Sequence, residues 1–202
     1  MLAHVIDEEL QLVLLEPHHA AEFFAVIDAN RAHLHPWMIW LEGTNSPEDT
    51  LAFIRSNLAD VAAERDMALA LRYRDQFVGM IGAHDKKHKT KSCDIGYWLA
   101  HDMQGRGIVT RAVKAFIHLL FNDYGFQRLT IRCAPHNKRS RAIPERLGFT
   151  QEGTLRRIAL MLGDTPNAPP QLTDLVMYSL LDYEYHRLPW SQQPDTTINI
   201  GD

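Results

Sequence analysis

A chain of 202 residues with 46% apolar and 23% charged residues suits a single globular domain, long enough to bury roughly 70% of its unfolded surface. Its net charge of −4 offers no general attraction to nucleic acid or to an anionic membrane, so neither is expected as a direct partner. No apolar run approaches the ~18 residues of a membrane span, Met1–Leu10 lacks the regions of a signal peptide, and Cys93 and Cys133 form no C-x-x-C pair; together these point to a reduced, cytoplasmic protein.

In chain order, residues 10–15 (Leu-Gln-Leu-Val-Leu-Leu) read as a first strand. Glu16-Pro17 then opens a helix to about Asn30, with Ala20, Ala21, Phe24 and Ile27 on its apolar side. The stretch His33–Trp40 is too aromatic for an idle connection, and its Trp37 and Trp40 either plug the core edge or wall a pocket. Ser46-Pro47-Glu48-Asp49 starts a helix, with serine as N-cap, proline in the first position and acids in the first turn; Leu51, Ile54, Leu58 and Val61 face inward as it runs to about Arg65. Strands follow at 67–73 and 76–84, turning at Arg74-Asp75, and Gly79 and Gly82 within the second mark a bulge or a close backbone approach. Residues 85–92, with four lysines, form a solvated loop.

The organising stretch runs from Asp94 to Phe121. Ile95, Tyr97, Trp98 and Leu99 make a buried strand, Gly105-Arg106-Gly107 a turn, and Val109, Val113, Phe116, Ile117, Leu120 and Phe121 one face of a helix. Strand, glycine turn and helix aim free N–H groups and the positive end of a helix dipole at one point, with Arg106 and Arg111 nearby. Such a point suits a phosphate. A Walker loop is absent, and a Rossmann fingerprint would need glycine where Thr110 stands and an acidic residue on a following strand, whereas Asp123 precedes Tyr124-Gly125 at a helix end.

Further on, Arg128–Ala134 alternates as a strand with one face open to solvent, and 135–153 reads Pro-His-Asn-Lys-Arg-Ser-Arg-Ala-Ile-Pro-Glu-Arg-Leu-Gly-Phe-Thr-Gln-Glu-Gly. Asn137 caps a short helix that ends at Leu147-Gly148-Phe149; a strand near 149–161, a proline-rich loop at 163–170 and a last strand at 172–181 complete the chain. The domain is expected over 1–188, with 189–202 as a mobile tail unless Trp190 docks.

Gln104-Gly105-Arg106-Gly107-Ile108-Val109 resembles the [QR]-x-x-G-x-[GA] cofactor cradle of the GCN5-related N-acetyltransferases (GNAT), with Val109 departing from the final small residue. Asn137-x-x-Ser140 followed by Glu145-Arg146-Leu147-Gly148-Phe149 resembles the second half of the same site. With Ile95-Gly96-Tyr97-Trp98-Leu99, these segments resemble the ribosomal-protein N-terminal acetyltransferases, the RimJ/RimL type, over residues 8 to 185.

The resemblance implies an α/β (α+β) fold: a mixed, mostly antiparallel sheet of six to seven strands, splayed between 93–100 and 128–134, with about four helices. It implies acetyl-CoA as co-substrate and no metal, with Trp98, Leu99, Gln104, Gly105, Arg106, Gly107, Ile108, Val109, Thr110, Asn137, Arg139 and Ser140 at the cofactor. Trp37 and Trp40 would wall the acceptor pocket. Many relatives carry a leaving-group tyrosine where Pro144 stands here; Ser140, one turn earlier, is the substitute donor. Pro144 also deprives the Ser140 carbonyl of its helical N–H, leaving it free for a ligand or water. Asp94 is the proton acceptor of choice.

Eleven histidines raise a metal reading, strongest at His84-Asp85-x-x-His88, but these straddle a strand end and the lysine loop; His18, His19, His33 and His35 read as surface or packing residues. Neutralising a lysine at pH 7 costs about 4.6 kcal/mol, against about 1 kcal/mol for an α-amine, so a weakly equipped enzyme suits the α-amine. This agrees with the resemblance, which implies a protein N-terminus of ribosomal type as the leading acceptor; the alternatives are a small amine (polyamine, amino acid or antibiotic) and a non-catalytic acyl-CoA sensor. The enzyme would act as a monomer or homodimer.

Overall fold

The computed structural model describes residues 3–162 and 169–192. Most of the proline-rich loop and the tail beyond Gln192 lie outside the described residues. Eight strands form one sheet in the order β1-β2-β3-β4-β5-β6-β8-β7. They are β1 (Ala3–Val5), β2 (Leu10–Val13), β3 (Met67–Tyr73), β4 (Gln76–Lys87), β5 (Ser92–Leu99), β6 (Arg128–Cys133), β7 (Thr150–Met161) and β8 (Gln171–Leu181). The expectation of six to seven strands is corrected to eight: the extra one is β1, three residues paired with β2, too short to leave a periodic signal.

The helices are α1 (Ala20–Ala29), α2 (Arg31–Leu34), α3 (Pro47–Ala62), α4 (Ile108–His118), α5 (Lys138–Leu147) and α6 (Asp182–Tyr185). The four long ones match the expectation; α2 and α6 are single turns. Ser46 caps α3 as its sequence requires, its Oγ accepting from the Asp49 N–H at 3.2 Å. The last turn of the central helix widens to π-helical geometry over Leu119–Asp123.

Alternation along β3 divides the core. Met67, Leu69, Leu71 and Tyr73 join the cluster that contains α4 and α5, with Phe116, Ile117, Leu120, Ile143 and Leu147. Ala70 instead joins the α1 and α3 cluster, with Phe23, Ile27, Ile54, Phe77 and Trp98. Both faces of the sheet are thus covered around its middle strands. Trp190 docks: its ring lies 5.5 Å from Tyr185 and 5.4 Å from the Lys114 ammonium, so the chain after β8 returns to α4.

The sheet opens between β5 and β6. These strands run parallel and pair at only three positions, Ser92 with Arg128, Cys93 with Leu129 and Asp94 with Thr130. From Ile95 onward β5 pairs with β4 alone, and β6 continues against β8. Gly79 on β4 serves the close approach its position suggests: a Cβ there would lie 2.3 Å from the Trp98 carbonyl oxygen. The bulge is present too, because Leu71 pairs with Gly79 but Arg72 with Phe77.

Past the end of β2, the outer edge of β3 needs another partner for its backbone. Asn57 of α3 supplies it, donating to the Ala68 carbonyl at 2.9 Å and accepting from the Ala68 N–H at 2.8 Å, while itself buried. Replacing Asn57 by Ala leaves both groups unpaired in the interior. The substitution should cost roughly 2–4 kcal/mol in chemical denaturation, and a loss below about 0.5 kcal/mol would show that water replaces the amide without penalty.

Candidate active site

The opening between β5 and β6 leads into a cleft of about 1050 Å³. One wall is the end of β5, Trp98 and Leu99, followed by Gln104, Gly105, Gly107, Ile108, Val109 and Thr110. The opposite wall is the start of α5, with Asn137, Arg139 and Ser140. Trp37 closes the far side together with His33, Met38 and His136.

Gly105 and Gly107 hold φ of +76° and +72°, the left-handed region, and a Cβ at either would meet nothing within 4 Å. The glycines therefore serve backbone conformation, and they keep the space before the helix open. Gly107 is the N-cap of α4, so the first N–H groups of that helix point toward the cleft without a capping side chain. Arg111 is not part of this set: its guanidinium donates to Asp7 Oδ2 at 2.6 Å, across to the loop before β2. Arg106 is exposed and outside the lining, turned back to the Asp102 carbonyl at 3.3 Å. Arg146 instead reaches over from α5, donating to Thr110 Oγ1 at 3.1 Å, and with Lys138 and Arg139 makes a cationic rim beside the α4 N-terminus.

On the second wall Asn137 is the cap of α5, accepting the Ser140 N–H at 3.1 Å. This frees the Ser140 hydroxyl from capping. Its Oγ lies 3.2 Å from Cys133 Sγ and 3.5 Å from the Tyr97 hydroxyl. The Ser140 carbonyl is not free, as its sequence context suggests; the Tyr97 hydroxyl donates to it at 2.9 Å. Burial pushes the Tyr97 phenol above its ordinary range, so it remains a donor at any working pH. Burial likewise pushes the Cys133 thiol up and keeps it in the thiol form.

Asp94 sits at the vertex of the split rather than in the cleft lining. One of its oxygens accepts from the Thr130 hydroxyl and the other meets the Arg132 guanidinium, both on β6. Trp40 also falls outside the lining; its ring lies 6.3 Å from Trp98, whose side chain packs into the α1 and α3 core cluster beside Phe23. Trp37 does line the cleft, 5.1 Å from the His136 ring.

His33 departs from the expected surface or packing role. Its Nε2 is 2.8 Å from Gln104 Nε2, and the Gln104 oxygen accepts from Arg139. A histidine of α2, the glycine-turn motif and the α5 motif are thereby joined. Burial, then the neighbouring His101 and Arg139, lowers the His33 pKa, so near neutral pH the ring accepts the Gln104 N–H as a neutral imidazole. Among the described residues no group of His, Cys, Asp and Glu is arranged to hold a metal. His84 lies 3.8 Å from Asp66, with its ring beside Gly82 and Gly96.

Of the lining, His33, Met38, Met103, Lys138 and Arg146 were not singled out from the sequence although they lie in the stretches quoted above, because their contacts span distant segments. Tyr97 and His136 lay inside quoted motifs, where strand alternation and proximity to Asn137 could have marked them.

A family model described as the Acetyltransferase (GNAT) domain matches residues 9–150. The ribosomal N-acetyltransferase candidate YdaF of Bacillus subtilis (strain 168) is 32% identical over 184 residues, covering 89% of this chain and 95% of its own length. The ribosomal-protein-serine acetyltransferase of Escherichia coli (strain K12) is 27% identical over 152 residues, 75% of this chain and 85% of its own. Among solved structures, the microcin C7 self-immunity acetyltransferase MccE, in complex with acetyl-CoA and AMP, matches at TM-score 0.80 and 29% identity, over 87% of this chain and 94% of its own. RimL, a ribosomal L7/L12 alpha-N-protein acetyltransferase crystallised with coenzyme A, shares the fold at TM-score 0.82 and 21% identity, over 89% and 98%. The chain belongs to the GNAT family and is an N-acetyltransferase that uses acetyl-CoA as its donor.

Proposed function

We propose that the acceptor is the α-amine of a protein N-terminus, ribosomal in type, and that the cleft holds acetyl-CoA with its pyrophosphate at the glycine turn. The observation that carries the acceptor assignment is the composition of the lining: cationic, aromatic and apolar, with no carboxylate among the described residues. Such a site offers no anionic base and repels an ammonium ion, which suits an amine already partly neutral near pH 7–8. The ribosomal-protein acetyltransferases among the relatives support the same reading. Asp94, with both oxygens engaged at the vertex, is left a holding role.

In the donor half, the free edge of Trp98-Leu99 offers backbone groups to the extended pantetheine arm. The α4 N-terminus and the rim of Lys138, Arg139 and Arg146 suit the phosphates. Ser140 then faces the thioester sulfur and donates its hydroxyl proton as the thiolate departs.

A second reading, transfer to a small amine, is favoured by Trp37 beside His136, a flat aromatic wall that suits a planar acceptor. MccE, 29% identical and solved with acetyl-CoA and AMP, supports this reading.

Three measurements test these assignments. Gly107→Val forces a β-branched residue into left-handed backbone; calorimetry should show coenzyme A affinity down roughly tenfold or more, on the scale of one charge-assisted hydrogen bond, with the fold retained. Unchanged affinity would remove the cradle from this turn. Ser140→Ala should lower kcat by about 10- to 1000-fold with little change in KM, and equal turnover would leave the hydroxyl without a chemical role. Finally, a peptide with a free N-terminus and one internal lysine should be acetylated at the N-terminus, as located by mass spectrometry. Acetylation only on the lysine overturns the α-amine reading, and an inert peptide beside an acetylated small amine establishes the second.

A further inference from the structure

The polar groups of Ser140 are accounted for in an unusual way. Its N–H is taken by the Asn137 side chain at 3.1 Å, and its carbonyl, which Pro144 cannot serve, by the Tyr97 hydroxyl at 2.9 Å. Tyr97 belongs to β5 and Ser140 to α5, so this contact crosses the cleft between the two walls of the split. The backbone of Ser140 is thus fixed from both sides by side chains rather than by helix hydrogen bonds. Only its hydroxyl retains rotational choice, and its neighbours are Cys133 Sγ and the Tyr97 oxygen.

We propose that Tyr97 is the positioning residue for Ser140: its hydroxyl holds the Ser140 carbonyl, and thereby aims Oγ at the place where the thiolate leaves. This rests on the proposed role of Ser140. A phenol kept protonated by burial makes a constant donor. It spends its single hydrogen on the carbonyl, so it has none to give the leaving thiolate while that bond persists. Its oxygen can accept the Ser140 hydroxyl hydrogen at 3.5 Å while the cleft is empty. As the S–C bond of the tetrahedral intermediate breaks, that hydrogen turns to the sulfur; Oγ gives its proton to the departing sulfur while taking one from the N–H+ of the intermediate, directly or through solvent, so the products are the thiol and the neutral amide and no free alkoxide forms. Tyr97 itself neither gains nor loses a proton. The ring alone could not do this, because the bond that matters is made by one oxygen atom.

The test is a double-mutant cycle on the full-length protein with acetyl-CoA and an N-terminal peptide. Tyr97→Phe keeps the ring and should lower kcat roughly 3- to 30-fold, the scale of one or two hydrogen bonds, with KM for acetyl-CoA within about twofold and the pH profile unmoved. In the Ser140→Ala background the same change should cost less than about twofold, since nothing remains to be aimed. Pro144→Ala restores an N–H to the Ser140 carbonyl and should recover part of the Tyr97→Phe loss, a result that general misfolding would not produce. Full additivity of the two losses, a loss confined to KM, or no recovery with Pro144→Ala would overturn the proposal. The two readings separate cleanly: an inert Ser140→Ala overturns the serine assignment, whereas a slow Ser140→Ala with a fully active Tyr97→Phe overturns the positioning role alone.

Discussion

Strand pairing that stops after three residues is the constraint on which the active site depends. Had β5 and β6 remained paired beyond Asp94 and Thr130, the sheet would be continuous and no cleft would exist. Parting them leaves the β6-facing edge of β5 along Ile95–Leu99 without a strand partner, while the other edge stays paired with β4. The backbone groups of such an edge are tolerated only where water or a ligand reaches them. The vertex carries the corresponding reinforcement: Asp94 accepts from Thr130 and pairs with Arg132, so a carboxylate of one strand ties it to the other where the backbone ladder ends. The gap widens from that tie, and the glycine turn lies beyond the end of β5 while Asn137 and Ser140 lie beyond the end of β6. The two cofactor motifs thus face one another because both follow strands that diverge from a common point.

The two helices that meet the cleft begin in opposite ways. The first turn of α4 follows a left-handed glycine and has no side-chain cap, so its N–H groups stay available. That of α5 is capped by Asn137, which takes the Ser140 N–H, and its contribution to the cleft comes from the residues Ser140, Arg139 and Arg146. One wall presents backbone and dipole, which suit an anion of any shape; the other presents individual polar atoms, which suit a defined reacting group. Pro144 sharpens this division by removing one more backbone donor from α5 and handing the orphaned carbonyl to Tyr97.

Much of this arrangement was legible in the residue order because local rules govern it. Ser46-Pro47 placed the start of α3 correctly, and the apolar spacing of Val113, Phe116 and Ile117 placed α4 with its buried face. The glycine turn before α4 and the Asn137 cap of α5 were legible for the same reason, since glycine conformations and helix caps are short-range demands. What escaped is long-range. Strand β1 is too brief to show a period. His33 touches Gln104 across 71 positions, and Tyr97 touches Ser140 across 43. The carbonyl freed by Pro144 was foreseeable, but its occupant depended on which residue of another strand pointed at it. Trp37 and Trp40 look equivalent in sequence, yet only the first lines the cleft, because the turn between them sends the second against the back of Trp98.

With cofactor and acceptor placed as proposed, the two ends of the cleft put opposite demands on charge within one lining. At the donor end a polyanionic cofactor is favoured by cations and by a helix N-terminus. At the acceptor end the same positive field works against a protonated amine. A carboxylate placed among the lining would relieve that penalty for a lysine, but it would also repel the cofactor phosphates. The histidines resolve the conflict in a different manner: His33, lowered by burial and by the adjacent His101 and Arg139, accepts a hydrogen bond from the cofactor motif without adding charge. A neutral imidazole there keeps the field set by Arg139 and Lys138 directed at the phosphates. On the proposed reading the acceptor then brings its own neutrality, and among protein amines the α-amine does so at small cost near neutral pH.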